Sequence, residues 1–169
     1  MRRNSAKQVA FGGVLAALAV VFMGVGGLIP AATYVSPMLC MLILHLVSIT
    51  CGSGTGWAWY GAVAILSLLL SADKEAAAVF VFLGYYPIVK PRLDQVPFSV
   101  LWKLLLFNTA VVLMYWLLMA VFGMDALAAE FREMGALLLT LTLALGNVTF
   151  FLIDRILSRI ISRKNRGGG

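Results

Sequence analysis

From Gln8 to Ala72 the chain has no Asp, Glu, Lys or Arg, a gap of 65 residues. A soluble domain cannot be built on such a stretch, because its surface elements need a charged face, whereas helices in a bilayer do not. Other scarcities narrow the chemistry. There are two cysteines, Cys40 and Cys51, and they form neither a C-x-x-C pair nor a disulfide framework, so both are expected as free thiols. The one histidine, His45, has no acidic neighbour in sequence, and no H-E-x-x-H is present. No carboxylate falls deep in an expected span, which argues against a membrane protease and against an enzyme in general. No G-x-x-x-x-G-K-[ST] loop is present to cradle nucleotide phosphates, and neither charge rings nor a carbonyl filter points to an ion channel. Neither a cofactor nor a metal is implied.

What is present is apolar. Hydrophobic residues make up 62% of the 169 and charged ones 12%, about half the charged share of a soluble domain. With crossings of about 20 residues each, the chain has room for about six spans and short loops. The expected fold is an all-α, polytopic integral membrane bundle, one domain over 1–163, followed at 164–169 by a basic, glycine-ended tail expected to be disordered. The N-terminus has the basic start of a signal peptide, but the run Val9 to Ile29 is too long for one and more spans follow, so it is expected as a retained first helix.

Apolar runs and their interruptions place the crossings. The first covers Val9 to Ile29 and closes at Pro30; the second runs from Ala32 to Ile49. The third follows a turn over Cys51 to Gly56 and ends near Leu70. The fourth covers Ala76 to Val89. Prolines 87, 91 and 97 punctuate the link to the fifth, Val100 to Phe122, and the sixth runs from Ala136 to about Ile153 and continues as a basic helix to Arg163. Between the last two, Met124, Leu127, Ala128 and Phe131 share one side and Asp125, Glu130, Arg132 and Glu133 the other, as for a helical turn or two lying on the interface.

Cytoplasmic loops retain Lys and Arg. With the N-terminus inside, eleven basic residues fall on the cytoplasmic side and only Lys74 and Arg132 outside, which also requires an even number of crossings. Both termini are therefore expected in the cytoplasm of a prokaryotic cell (inner) membrane. The net charge of +6 then reports topology and anionic lipid headgroups at the cytoplasmic face, not nucleic acid. Arg155, Arg159 and Arg163, four residues apart beside an isoleucine and leucine face, form one basic stripe suited to such lipids. Asp154 has Ser158 or an arginine one turn later as possible partners.

Several side chains invite a functional reading. Asn108 and Asn147 fall near mid-depth of the last two spans, where an amide must find a partner because lipid offers none. They either bond to each other or line a cavity, which Tyr115, Trp116, Thr140 and Thr142 on their outward side would complete. Tyr115 and Trp116 also suit an interfacial aromatic belt. His45 is either a proton relay or ligand, or a ring hydrogen-bonded to a neighbouring helix. Trp57, Trp59 and Tyr60 are expected as headgroup-level anchors. Gly84 to Arg92, G-Y-Y-P-I-V-K-P-R, is a bent helix end in which Pro87 frees the carbonyl of Leu83.

The first helix carries the clearest pattern. Ala6, Ala10, Gly13 and Ala17 step by four, three and four onto one face, with Gly24 further along and Gly12 and Ala16 expected to widen it. Small residues so spaced let another helix approach closely in lipid, whether one of the chain's own or a foreign one. Short apolar spans, a basic N-terminus feeding an alanine-rich first helix (R-R-N-S-A-K-Q-V-A-F-G-G-V-L-A-A-L-A) and a basic tail resemble the substrate-binding S components of energy-coupling factor transporters. In that family an A-x-x-x-A surface on the first helix contacts a transmembrane T component; Ala6-x-x-x-Ala10 matches it literally, Gly13-x-x-x-Ala17 as small for small. The resemblance implies a passive subunit that holds a small-molecule micronutrient near the outer face and is energised by two ABC-type ATPases. Under it Tyr34 becomes a lid contact. The alternative is a non-transporting membrane scaffold or assembly factor of a cell-envelope complex.

Overall fold

The computed structural model describes residues 2–26, 32–122 and 125–166. All their regular structure is helical: α1 (Arg2–Gly26), α2 (Ala32–Cys51), α3 (Ser53–Leu70), α4 (Lys74–Leu83), α5 (Tyr86–Leu93), α6 (Ser99–Phe122) and α7 (Asp125–Arg166). The stretches Ala6–Val25, Thr33–Cys51, Ser53–Leu70, Ser99–Ala120 and Thr140–Ile160 are five helices long and apolar enough to cross a membrane. They suggest a multi-pass membrane protein. Two compact units divide the chain, Met1–Gln95 and Val96–Gly169.

In the first unit α1, α2 and α3 pack on one another and on α4, with α5 against α2 and α3. The core joins Ala19 and Met23 of α1, Cys40, Leu44 and Val47 of α2, Trp59 and Val63 of α3, and Ala76, Ala77 and Phe80 of α4. Lipid tails are as apolar as leucine, so this packing is not driven by water. Small side chains that bring backbones close, and hydrogen bonds between helices, hold it instead. The Cys40 thiol donates to the carbonyl of Ala19 at 3.5 Å, and the Trp59 indole Nε1 to that of Gly12 at 3.0 Å. Trp59 is thus buried against α1 rather than anchored among headgroups as its position in sequence implies; Trp57, two residues away, is the exposed indole.

Two boundaries differ from the sequence expectation. The turn before α3 is not six residues but Gly52 alone, held at φ 92°, with the Gly52 amide bonded to the carbonyl of Ser48. At that φ a side chain would strain the backbone, so glycine lets two helices abut across one residue. The expected fourth crossing is not one helix. It breaks at Gly84 and Tyr85 into α4 and α5, both too short to span alone. Pro87 has no N–H for the carbonyl of Leu83, and Gly84 sits where a Cβ would run into the carbonyl oxygen of Phe80. The Tyr60 hydroxyl donates to the carbonyl of Val81, satisfying an acceptor beside the break.

In the second unit α6 and α7 pack as an antiparallel pair. At Gly135 (φ 52°, ψ −133°) the backbone leaves helical geometry, so α7 is two helices end to end. Helix over 125–134 agrees with the turn or two expected there; the sidedness of Met124, Leu127, Phe131 and their charged neighbours lies outside the described residues, as do the close of the first span at 27–31 and the tail at 167–169. A Cβ on Gly146 would come within 3.0 Å of the Phe107 ring, so glycine sets the closest approach of the pair. Phe107 and Phe150 stack beside it with ring centroids 4.8 Å apart.

Candidate functional site

The four small residues on α1 face outward. Ala6, Ala10, Gly13 and Ala17 are all exposed, as is Gly24, whereas Gly12 does not widen the stripe as expected: it is buried with Ala19 and Met23 on the other side of the helix, its carbonyl taken by the Trp59 indole. A Cβ on Gly13 or Gly24 would meet nothing within 4 Å. The stripe is therefore not the face by which α1 packs into its own unit.

A polar cluster closes one end of that unit. The Thr33 hydroxyl donates to Asp73 Oδ2 at 2.7 Å and the Tyr34 hydroxyl to Glu75 Oε1 at 2.8 Å, tying the first turn of α2 to the start of α4. Asp73 is also the N-cap of α4, its Oδ1 accepting from the amide of Ala76 at 3.0 Å. Lys74 Nζ lies 2.9 Å from the carbonyls of Leu68 and Ser71, at the C-terminal end of α3 where a cation complements the helix dipole. Ser71 Oγ is 3.0 Å from the carbonyl of Met23, bringing in the end of α1. Tyr34 is 46% exposed, open enough to meet a second molecule while bonded to Glu75.

The opposite end of the same unit is aromatic and basic. Trp57 stacks on Tyr85, centroids 6.4 Å apart, and Tyr60 meets both rings. The buried Lys90 pairs with Asp94 at 3.3 Å, and Arg92 is exposed. Cys51 Sγ reaches the carbonyl of Gln8 at 3.8 Å, so the basic N-terminal turns of α1 belong to this end too.

In the second unit the amides expected near mid-depth meet. Asn108 Nδ2 donates to Asn147 Oδ1 at 3.2 Å and Asn147 Nδ2 to Asn108 Oδ1 at 2.9 Å, and each Nδ2 also donates to the carbonyl four residues back, Leu104 at 2.8 Å and Leu143 at 2.7 Å. Both donors of each amide are engaged. Tyr115 is buried, whereas Trp116 and Thr140 are exposed. The two asparagines are thus brought together side chain to side chain.

One pair escaped the sequence reading. Lys103 Nζ lies 3.2 and 3.3 Å from the two carboxylate oxygens of Asp154, with the lysine side chain 6% and the aspartate 17% exposed. Of the partners the sequence offers Asp154, Ser158 donates its Oγ to the main-chain carbonyl of Asp154 at 2.8 Å rather than to the carboxylate. The signal was available. Once Asn108 faces Asn147, antiparallel helices bring Lys103 within about a turn of Asp154.

His45 is buried in α2. Among the described residues no three His, Cys, Asp or Glu side chains gather as metal ligands would. Comparison with protein-family models, with curated proteins and with solved structures finds no match.

Proposed function

We propose that the chain is the substrate-binding subunit of a micronutrient uptake transporter in a prokaryotic inner membrane, with both termini cytoplasmic. A transmembrane T component docks on α1, and two ABC-type ATPases on other chains supply the energy. The observation that carries this reading is the outward-facing row Ala6, Ala10, Gly13 and Ala17. Small residues turned toward lipid forgo dispersion contacts that leucine would make there, and they gain them back only when another helix lies in the groove. The buried side of α1 already serves packing within the first unit, which leaves the exposed side for a helix from outside that unit. Tyr34, half open above Asp73 and Glu75, supports a solute-facing role for that end of the first unit.

One observation favours a scaffold instead. The amides of Asn108 and Asn147 are spent on each other and on the main chain, so they act as helix-to-helix fasteners rather than as groups waiting for a solute. The readings separate on purification from native membranes in mild detergent, with mass spectrometry of retained chains and small molecules. Recovery of a membrane protein with two ATPases, lost in Ala10→Leu/Gly13→Leu, is the expected result. Because those side chains are exposed, that variant is expected to keep native thermal stability. Recovery of cell-envelope assembly proteins without a small molecule would establish the scaffold.

A further inference from the structure

We propose that Arg155 and Arg159 of α7 hold the phosphate of an anionic phospholipid headgroup, while the adjoining row Leu152, Ile156 and Ile160 lies along its acyl chains. All five side chains are exposed. The two arginines lie one turn apart on one stripe, and the three apolar residues form the neighbouring stripe. On the opposite side of the same helix, Leu157 and Phe150 are buried. A planar guanidinium fork matches phosphate oxygens, and two of them a turn apart present a site of matching charge.

Within the second unit, the carboxylate nearest these arginines in sequence has an ion-pair partner on α6. Asp154 is the carboxylate next to Arg155 in sequence, and it is turned toward α6 and taken by Lys103. The other acidic residues of this unit, Asp125, Glu130 and Glu133, lie before Gly135, roughly 30 Å of helix away from Arg155. The span Thr140–Ile160 ends at this point, where a helix of membrane-crossing length meets headgroups. The occupant is a membrane lipid rather than free phosphate, because phosphate alone would leave the leucine and isoleucine row uncovered. The inference needs only that the chain crosses a membrane and is independent of the transport reading.

The test reconstitutes the full chain in phosphatidylcholine vesicles with and without phosphatidylglycerol and measures its preference for spin-labelled phosphatidylglycerol over spin-labelled phosphatidylcholine. Arg155→Gln or Arg159→Gln is expected to reduce that preference about fivefold and the double variant by the square of that factor, while Arg155→Lys/Arg159→Lys, which keeps the charge but loses the fork, is expected to fall between the native chain and the double glutamine variant. Raised salt is expected to weaken it in the native chain. A double glutamine variant that is helical by circular dichroism and keeps native preference would overturn the proposal. So would competition by soluble glycerol phosphate as effective as that by the lipid, which would mark a free-phosphate site.

Discussion

Asn108 and Asn147 illustrate what a single residue does when no water is present to replace a lost partner. Asn108→Leu leaves the Asn147 amide facing apolar side chains with one donor and its carbonyl oxygen unmet, and should cost about 1–2 kcal/mol. Replacing both should cost less than the two single changes together, with a coupling of about 0.6–1.7 kcal/mol in a double-mutant cycle followed by unfolding in detergent. The Lys103–Asp154 pair should behave more sharply, since removing one partner takes the ion pair from a charge that is nearly buried. Asp154→Leu is expected to lose about 3 kcal/mol and Lys103→Met/Asp154→Leu to regain most of it. Equal stability of the single and double variants would mean that the lysine reaches water without its partner. At this scale the sequence was half legible. An amide deep in a span announces a need for a partner, so Asn108 with Asn147 was among the readings it offered. Lys103 and Asp154 each stood near a span end, where solvation explains a charge, and neither position alone announces the other.

Among the elements, the stretch expected as the fourth crossing, which breaks into α4 and α5, is tightly constrained. Gly84 is the residue at which α4 stops, and any Cβ there collides with the Phe80 carbonyl and with its ring at 2.9 Å. Gly84→Ala must therefore shift the break or displace Phe80 from the core, and should lower detergent thermal stability by about 1–3 kcal/mol. Gly54→Ala, where a Cβ would meet nothing within 4 Å, is the matched control and should be near neutral. Apolar runs made α1, α2, α3 and α6 legible because length and hydropathy alone define a helix that crosses lipid. The break was legible as chemistry, through Pro87, but not as geometry. Proline says that a hydrogen bond is missing, whereas the place where the chain bends depends on Gly84, Tyr60 and Phe80 meeting across helices far apart in sequence. Gly52 escaped for a similar reason, since four polar or glycine residues beyond it look like loop until a helix is seen to begin at Ser53. The α1 stripe was legible as a pattern, and its outward direction was not, because a face is assigned only by what packs on the other side.

For the molecule as a whole, the ends of the first unit carry the orientation argument. One end gathers the N-terminal turns of α1, the Cys51 end of α2, Trp57, Tyr85 and the basic residues Lys90 and Arg92; the other gathers Asp73, Lys74 and Glu75 with Thr33 and Tyr34. The first end is rich in cations and the second balanced or acidic, which is the asymmetry that holds a loop in the cytoplasm during insertion. The fold itself supplies no direction, because a bundle inverted in the bilayer would pack identically; only the basic residues break the tie. In a background with Cys40→Ala and Cys51→Ala, single cysteines at Lys7, Arg92 and Ala72 therefore test orientation and the split crossing together, all three positions being exposed. A membrane-impermeant thiol reagent added to intact cells should label Ala72→Cys, whereas Lys7→Cys and Arg92→Cys should react only after permeabilisation. Labelling of Lys7→Cys and Arg92→Cys from outside, with Ala72→Cys protected, would invert the topology and place Tyr34 on the cytoplasmic side, away from any solute arriving from outside. Labelling of Ala72→Cys and Arg92→Cys from the same side would mean that α4 and α5 do not cross the bilayer, leaving the first unit with three crossings.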